Sequence, residues 1–267
     1  MAYIRTLVFL LCFAVLAASS VSAAEVLKIK PRDGVFLKML AFDPGDAKAI
    51  AVLFPGGHGK VIVKNNGTFK GTKGNFLTRT RQKFVDKGLL TVLFDAPSDH
   101  RKGEGLTFDY RMTEEHAGDI KKAMAKLRKT YPGLPLWLVG TSRGSTSAAN
   151  AAANIKDGGP DGVVLTSTVG VSNKHGGNVL DYKLESIKIP VLVAHHQEDG
   201  CSVTPVSGAK DIKARLTGSK ASELMIFEGG SRGGGGEGRA CGSQSHHGFL
   251  DMEDKVVDAI AAWIKSH

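Results

Sequence analysis

The 267-residue chain carries 35 Lys and Arg against 26 Asp and Glu, a net charge of +9, with 33 Gly, 9 Pro and 3 Cys. These proportions exclude a collagen, a disordered tail protein and a disulfide-dense miniprotein, and the length buries a sizeable core in one large domain or at most two small ones. Aromatic residues make up only 7% and the basic residues are scattered from Lys28 to Lys265 without a dense run, so the charge reads as dispersed surface charge and no nucleic-acid partner is expected.

Residues 1–24 read as a signal peptide. Arg5 supplies a positive start, Leu7 to Ala18 is an apolar run, and Val21-Ser22-Ala23-Ala24 offers small residues at the cleavage spacing. The apolar run is short for a bilayer span of roughly 20 residues, so a secreted or periplasmic chain is expected, with no stable membrane insertion after cleavage.

Residues 25–267 read as one α/β domain. Val26 to Leu40 is a hairpin turning at Asp33-Gly34. Ala49 to Phe54, continuously apolar and stopped by Pro55-Gly56-Gly57, has the composition of a strand buried on both faces of a parallel sheet. Phe76 to Lys87 has helical spacing, Leu89 to Phe94 is a second buried strand, and Glu114 to Tyr131 is a helix with Ala117, Ile120, Met124, Leu127 and Tyr131 on one face. Leu134 to Val139 is the next strand, with Pro135 confined to its beginning. A small-residue helix from Arg143 or Gly144 to Ile155 follows, then strands at Val163 to Thr166 and Ile189 to Ala194. Helix Val206 to Leu216, strand Leu224 to Phe227 and helix Asp251 to Ile264 complete a doubly wound pattern, a mostly parallel central sheet flanked by helices. Gly229 to Gly242 holds eight glycines and reads as a loop.

Gly140-Thr141-Ser142-Arg143-Gly144 stands between a predicted strand and a predicted helix. A tight turn there holds the central side chain clear of the sheet, so Ser142 is the candidate nucleophile, the alternative being an ordinary helix N-cap serine. A serine hydroxyl needs a base, and the base needs an orienting acid. Asp199 lies in the turn after the fifth strand of the parallel set and is the candidate orienter, with Glu198 as its alternative. His247, in Ser245-His246-His247-Gly248-Phe249, is the candidate base and His246 the alternative, Gly248 allowing the loop a close approach and Phe249 packing inward.

Ser, Asp and His in that order after separate strands resemble the α/β-hydrolase superfamily, and the His-Gly-Phe ending resembles its dienelactone-hydrolase-like and prolyl-peptidase-like members. The resemblance spans the chain from about Val26. It implies a catalytic serine, an oxyanion hole of backbone amides and hydrolysis of an acyl bond without metal or cofactor. Phe54-Pro55-Gly56-Gly57-His58-Gly59 stands where the superfamily has an early glycine-rich oxyanion loop, so the N–H of Gly57 or His58, together with that of Arg143, would bind the developing negative charge. The His58 side chain is open to a substrate contact or a plain loop role. The long cation at Arg143 departs from the usual pattern, and its side chain is expected either to brace Asp95 or Asp99 or to meet an acidic substrate.

Cys201 and Cys241 flank the candidate acid and base and are expected to form a disulfide tying their loops together. His195, His196, His246 and His247 form no His-Glu-x-x-His motif, so no metal is expected. The expected activity is hydrolysis of a small or polymer-end carboxylic ester through an acyl-enzyme. The roughly twenty residues from Ser167 to Lys188 are too few for a bulky helical lid. The alternatives are a serine peptidase or amidase and a non-catalytic hydrolase-like binding protein.

Overall fold

The computed structural model describes residues 24–173, 176–233 and 239–267. The expected signal peptide, apart from Ala24, and the centre of the glycine-rich loop lie outside the described residues. Eight strands form one sheet: β1 (Glu25–Arg32), β2 (Val35–Phe42), β3 (Ala49–Phe54), β4 (Leu89–Phe94), β5 (Leu136–Thr141), β6 (Gly162–Thr166), β7 (Val191–His196) and β8 (Ser222–Phe227). Their order across the sheet is β1-β2-β4-β3-β5-β6-β7-β8. The β1–β2 hairpin joins antiparallel through β2 against β4, and every pairing from β4 to β8 is parallel. The doubly wound, mostly parallel sheet expected from the sequence is therefore the architecture.

All residues of β3, β4, β5, β6 and β7 are buried, which accounts for their unbroken apolar sequences. Strand alternation divides them between two layers. Ile50, Val52 and Phe54 face a layer that contains α4 (Glu114–Thr130), α5 (Arg143–Asn154) and α6 (Val206–Arg215). Ala49, Ala51 and Leu53 face the other, made by α1 (Phe76–Arg79), α2 (Arg81–Asp86) and α7 (Glu253–Ser266). A short helix, α3 (Phe108–Arg111), precedes α4. Arg32 fastens the hairpin to α4, its guanidinium lying 2.9 Å from Asp119 and 3.0 Å from Glu115.

The structure departs from the sequence pattern at two places. The single helix expected from Phe76 to Lys87 is two short ones, because the Thr80 hydroxyl bonds back to the Phe76 carbonyl at 2.7 Å and its backbone leaves the helical region at ψ 1°. The strand expected from Leu134 to Val139 begins at Leu136, since Pro135 sits ahead of the ladder and contributes only its carbonyl, accepting from Ile50 N at 2.8 Å. Among the described residues, no helix is long and apolar enough to cross a membrane.

The first turn of α5 touches the end of β3 so closely that a Cβ on Gly144 would stand 1.9 Å from the Phe54 carbonyl oxygen. Gly144→Ala is therefore expected to lower stability by about 3 kcal/mol or more, or to prevent folding, as measured by urea unfolding followed by circular dichroism.

Candidate active site

The carboxyl ends of β3, β5, β6 and β7 converge on one edge of the sheet, where a doubly wound fold places its loops. Ser142 follows β5 directly with φ 52° and ψ −128°, a conformation that non-glycine residues hold only when their surroundings impose it. Here they do. The Ser142 N–H donates to the Thr166 carbonyl at the end of β6, and the Ser142 carbonyl accepts from Ser145 N–H and the Ser145 hydroxyl at 2.8 and 2.7 Å. A Cβ on Gly140 would stand 2.4 Å from the Gly144 carbonyl oxygen, and one on Gly56 would stand 2.8 Å from Ser142 Cβ. The flanking glycines are thus required by close backbone approach. The serine makes no side-chain cap hydrogen bond to the helix it precedes, unlike an ordinary N-cap residue.

His247 is buried in a one-turn helix, with its N–H held by the Ser245 hydroxyl at 3.2 Å and its carbonyl by the Ser167 hydroxyl at 2.7 Å. Its Nδ1 lies 2.9 and 3.2 Å from the two carboxylate oxygens of Asp199. That contact favours the Nδ1–H tautomer and leaves Nε2 free to accept a proton. The Thr204 hydroxyl donates to Asp199 Oδ2 at 2.9 Å, and Cys201 N–H donates to Oδ1 at 3.0 Å. Burial by itself would raise the Asp199 carboxyl, but the His247 hydrogen bond and charge and the Cys201 amide outweigh it and hold the group below its ordinary value. Glu198 does not take part: its side chain is largely exposed, and its N–H serves His196 Nδ1 at 3.0 Å.

Of the two adjacent histidines, only His247 meets Asp199. The tight turn splays neighbouring side chains apart, and the His246 ring stacks on His196 with centroids 4.2 Å apart. Gly248 approaches Ser243 so closely that a Cβ would stand 1.9 Å from its carbonyl oxygen, and Phe249 is fully buried against Phe76 and Phe227, as the sequence suggests.

Ser142 and His247 open onto one cavity of about 230 Å³. Gly56, Gly57 and His58 line it, together with Cys241, Ser243 and Gly248. Thr72, Asn75 and Phe76 also line it, a contribution from the segment that leads into and opens α1 and that no sequence pattern announces. Cys201 and Cys241 form the expected disulfide, joining the Asp199 turn to the rim of the cavity. The Arg143 N–H opens α5, where first-turn amides have no carbonyl within the helix.

The expected brace at Arg143 is not formed. Asp95 is taken by Arg101 at 2.8 Å and by the amides of Ile62 and Val63, while Asp99 pairs with Arg32 at 2.9 Å. The Arg143 guanidinium lies instead over the Phe108 ring, 4.6 Å from its centroid.

Two groups of potential metal ligands occur among the described residues. In His196, Glu198 and His246, both ring nitrogens of His196 are already engaged, Nε2 with the Gly229 carbonyl at 2.8 Å and Nδ1 with the Glu198 amide. His246 Nδ1 in turn lies 3.3 Å from the Glu198 main-chain carbonyl. In Asp99, His100 and Glu115, both carboxylates are neutralised by Arg32.

No protein-family model matches the sequence, and no curated protein is significantly similar to it. Solved structures are similar in fold at low identity. An esterase of Pyrococcus furiosus superposes with a TM-score of 0.65 at 14% identity, over 96% of each chain. A lid-less α/β serine hydrolase of Xanthomonas campestris gives 0.57 at 14% identity, over 92% of this chain and 93% of its own. Acylaminoacyl peptidase of Pyrococcus horikoshii gives 0.62 at 16% identity, covering 93% of this chain but 42% of its own. The likeness to these structures is one of fold, a single α/β domain with a mostly parallel sheet flanked by helices.

Burial depresses the basicity of several histidines. His116 lies well below its ordinary value, with the charge of Arg111 adding to burial; His195 is also lowered, despite the opposing pull of Asp199. His116 stays neutral in the fold while its unfolded counterpart takes up a proton below about pH 6.5, and His195 protonates less readily folded than unfolded, so stability falls as the pH drops through that value. Chemical unfolding at pH 6.5 and 5.5 is expected to differ by about 1 kcal/mol or more, and His116→Phe should lessen the difference.

Proposed function

We propose that the chain is a serine hydrolase that cleaves carboxylic esters through an acyl-enzyme, with Ser142 as nucleophile, His247 as base and acid, and Asp199 as orienter. One observation carries this reading: a serine held at positive φ and a histidine fixed by a buried carboxylate open onto the same cavity. The fold similarity to two esterases or hydrolases supports it.

In the first half-reaction the Ser142 hydroxyl oxygen attacks the ester carbonyl carbon as its proton passes to His247 Nε2. Negative charge develops on the carbonyl oxygen and is met by N–H of Gly57 or His58 and of Arg143. Collapse breaks the bond to the alkoxy group, which leaves as the alcohol with the proton from His247. Water then repeats the sequence, giving its proton to His247 and its oxygen to the acyl carbon, and Ser142 departs reprotonated. Asp199 stays ionised throughout, stabilising the imidazolium, and Thr204 and Cys201 N–H hold it in place.

A cavity of this size suits a small or protruding ester. The described residues between β6 and β7 include only two single-turn helices, which favours an open cleft. The disulfide supports the reading of residues 1–24 as a signal peptide of a secreted or periplasmic chain, since such bonds persist in oxidising compartments. Amide or peptide cleavage is the second reading, favoured by the similarity to acylaminoacyl peptidase, though that match covers only part of the larger chain.

A fluorophosphonate probe is expected to label the folded chain once, at Ser142, and peptide mass mapping locates the adduct. Ser142→Ala should abolish labelling, and His247→Ala should lower ester turnover by about 10³-fold or more. A folded wild-type chain that neither labels nor hydrolyses esters overturns the reading. Reduction of the Cys201–Cys241 bridge is expected to lower kcat while leaving the far-ultraviolet circular dichroism of the sheet unchanged, because the bond joins two site loops and no strands.

A further inference from the structure

Arg111, the last residue of α3, is fully buried, and among the described residues its guanidinium has no carboxylate partner. An unpaired buried cation is costly, so its hydrogen bonds indicate what it is held for. Nε donates to the Leu106 carbonyl at 3.2 Å and Nη1 to the Ser147 hydroxyl of α5 at 2.7 Å. Nη2 reaches the carbonyls of Pro55 at 3.1 Å and Gly57 at 3.5 Å. Burial, with a smaller contribution from the Arg143 charge, pushes the guanidinium down to about 9, which leaves it protonated at neutral pH.

These carbonyls belong to the loop that lines the cavity beside Ser142. All peptide bonds here are trans, so each C=O points opposite to the N–H of the following residue. Drawing the Gly57 carbonyl toward Arg111 turns the His58 N–H the other way, and drawing the Pro55 carbonyl does the same for Gly56. Gly56, Gly57 and His58 line the cavity, whereas Arg111 does not and lies behind them. Gly59 leaves room for this approach, since a Cβ there would stand 2.4 Å from Arg111 Nη2. Leu106 closes the arrangement by donating its N–H to the His58 carbonyl at 2.9 Å while its own carbonyl takes Arg111 Nε.

We propose that Arg111 is a positioning residue of the oxyanion hole: it fixes the peptide planes of the Pro55–His58 loop so that the His58 N–H faces the reacting carbonyl oxygen, and it places a positive charge behind those dipoles. The proposal rests on the serine-hydrolase reading and chooses His58 over Gly57 as the donor. The Gly57 N–H shares its peptide with the Gly56 carbonyl, which is committed to Gly59 N at 3.3 Å rather than to Arg111.

Arg111→Lys and Ser147→Ala, made in the full oxidised chain, test it against wild type. The readouts are kcat and KM for p-nitrophenyl acetate, inhibition by phenylboronic acid as a tetrahedral adduct, and the melting temperature. Arg111→Lys is expected to lower kcat by about 10- to 100-fold with KM nearly constant, and to weaken the boronate in the same proportion. Ser147→Ala, which removes one anchor of the guanidinium and keeps its charge, should act in the same direction by a smaller factor; it carries the test if the lysine variant does not fold. Folded variants that melt earlier but keep wild-type kcat and boronate affinity overturn the proposal while leaving the hydrolase reading intact. A wild-type chain inert to both ester and fluorophosphonate overturns the hydrolase reading and this proposal with it.

Discussion

The candidate site depends on how closely backbone can approach backbone where β3, β5 and the start of α5 meet. Gly56, Gly140 and Gly144 occupy that junction, and at each an added carbon would strike a neighbouring atom within 3 Å. Removing three side chains lets α5 begin directly against the end of β3, and this compression holds Ser142 in its unusual backbone conformation. The strain is local, but the support is distributed: Thr166 on the adjoining strand and Ser145 on the helix both bond the serine backbone. A sheet buried on both faces supplies the rigidity that a strained turn requires.

The acid and base are held by a different logic. Asp199 and His247 sit on loops, and their geometry comes from polar contacts rather than from close packing of the backbone. Thr204, Cys201 N–H and His247 surround the carboxylate, while Ser245 and Ser167 grip the histidine backbone from both sides. Arg79 adds a further tie, donating to the carbonyls of Gly74, Ser243 and Gly248 and pairing with Glu253 at 2.7 Å. One cation thus links the segment before α1, the histidine loop and α7. Each half of the site is anchored to the scaffold separately, and the cavity lies where the two halves meet.

Much of this was legible in the sequence because burial on both faces leaves an unmistakable composition. The apolar runs ending at Phe54, Phe94 and Thr166 could be little else, and the Gly-x-Ser-x-Gly segment stood between a strand and a helix as that motif requires. Features decided by one hydrogen bond or by the path of a loop were not legible. The break at Thr80 arises from a hydroxyl bonding to a carbonyl one turn back, which leaves the apolar spacing unchanged. Arg143 had two acidic candidates in the sequence, but both are claimed by arginines brought in from other elements, and only the folded course of α3 puts Phe108 beneath it. Thr204 and Arg111 carry no local signal: a threonine beyond a turn is ordinary, and an arginine between Tyr110 and Met112 in a short mixed stretch reads as a surface cation.

An open sheet has two outer strands whose unpaired peptide groups can recruit another chain, and the hairpin strand β1 is built to resist this. It carries Lys28, Lys30 and Arg32 in an eight-residue strand, includes Pro31 without an N–H to donate, and its pairing with β2 slips between Ile29 and Arg32. Charge, a missing donor and an irregular ladder all oppose the addition of a further strand. The apolar strands that form the core are thereby kept away from the rim where self-association would begin, so the hairpin serves as a guard against aggregation at that edge of the sheet.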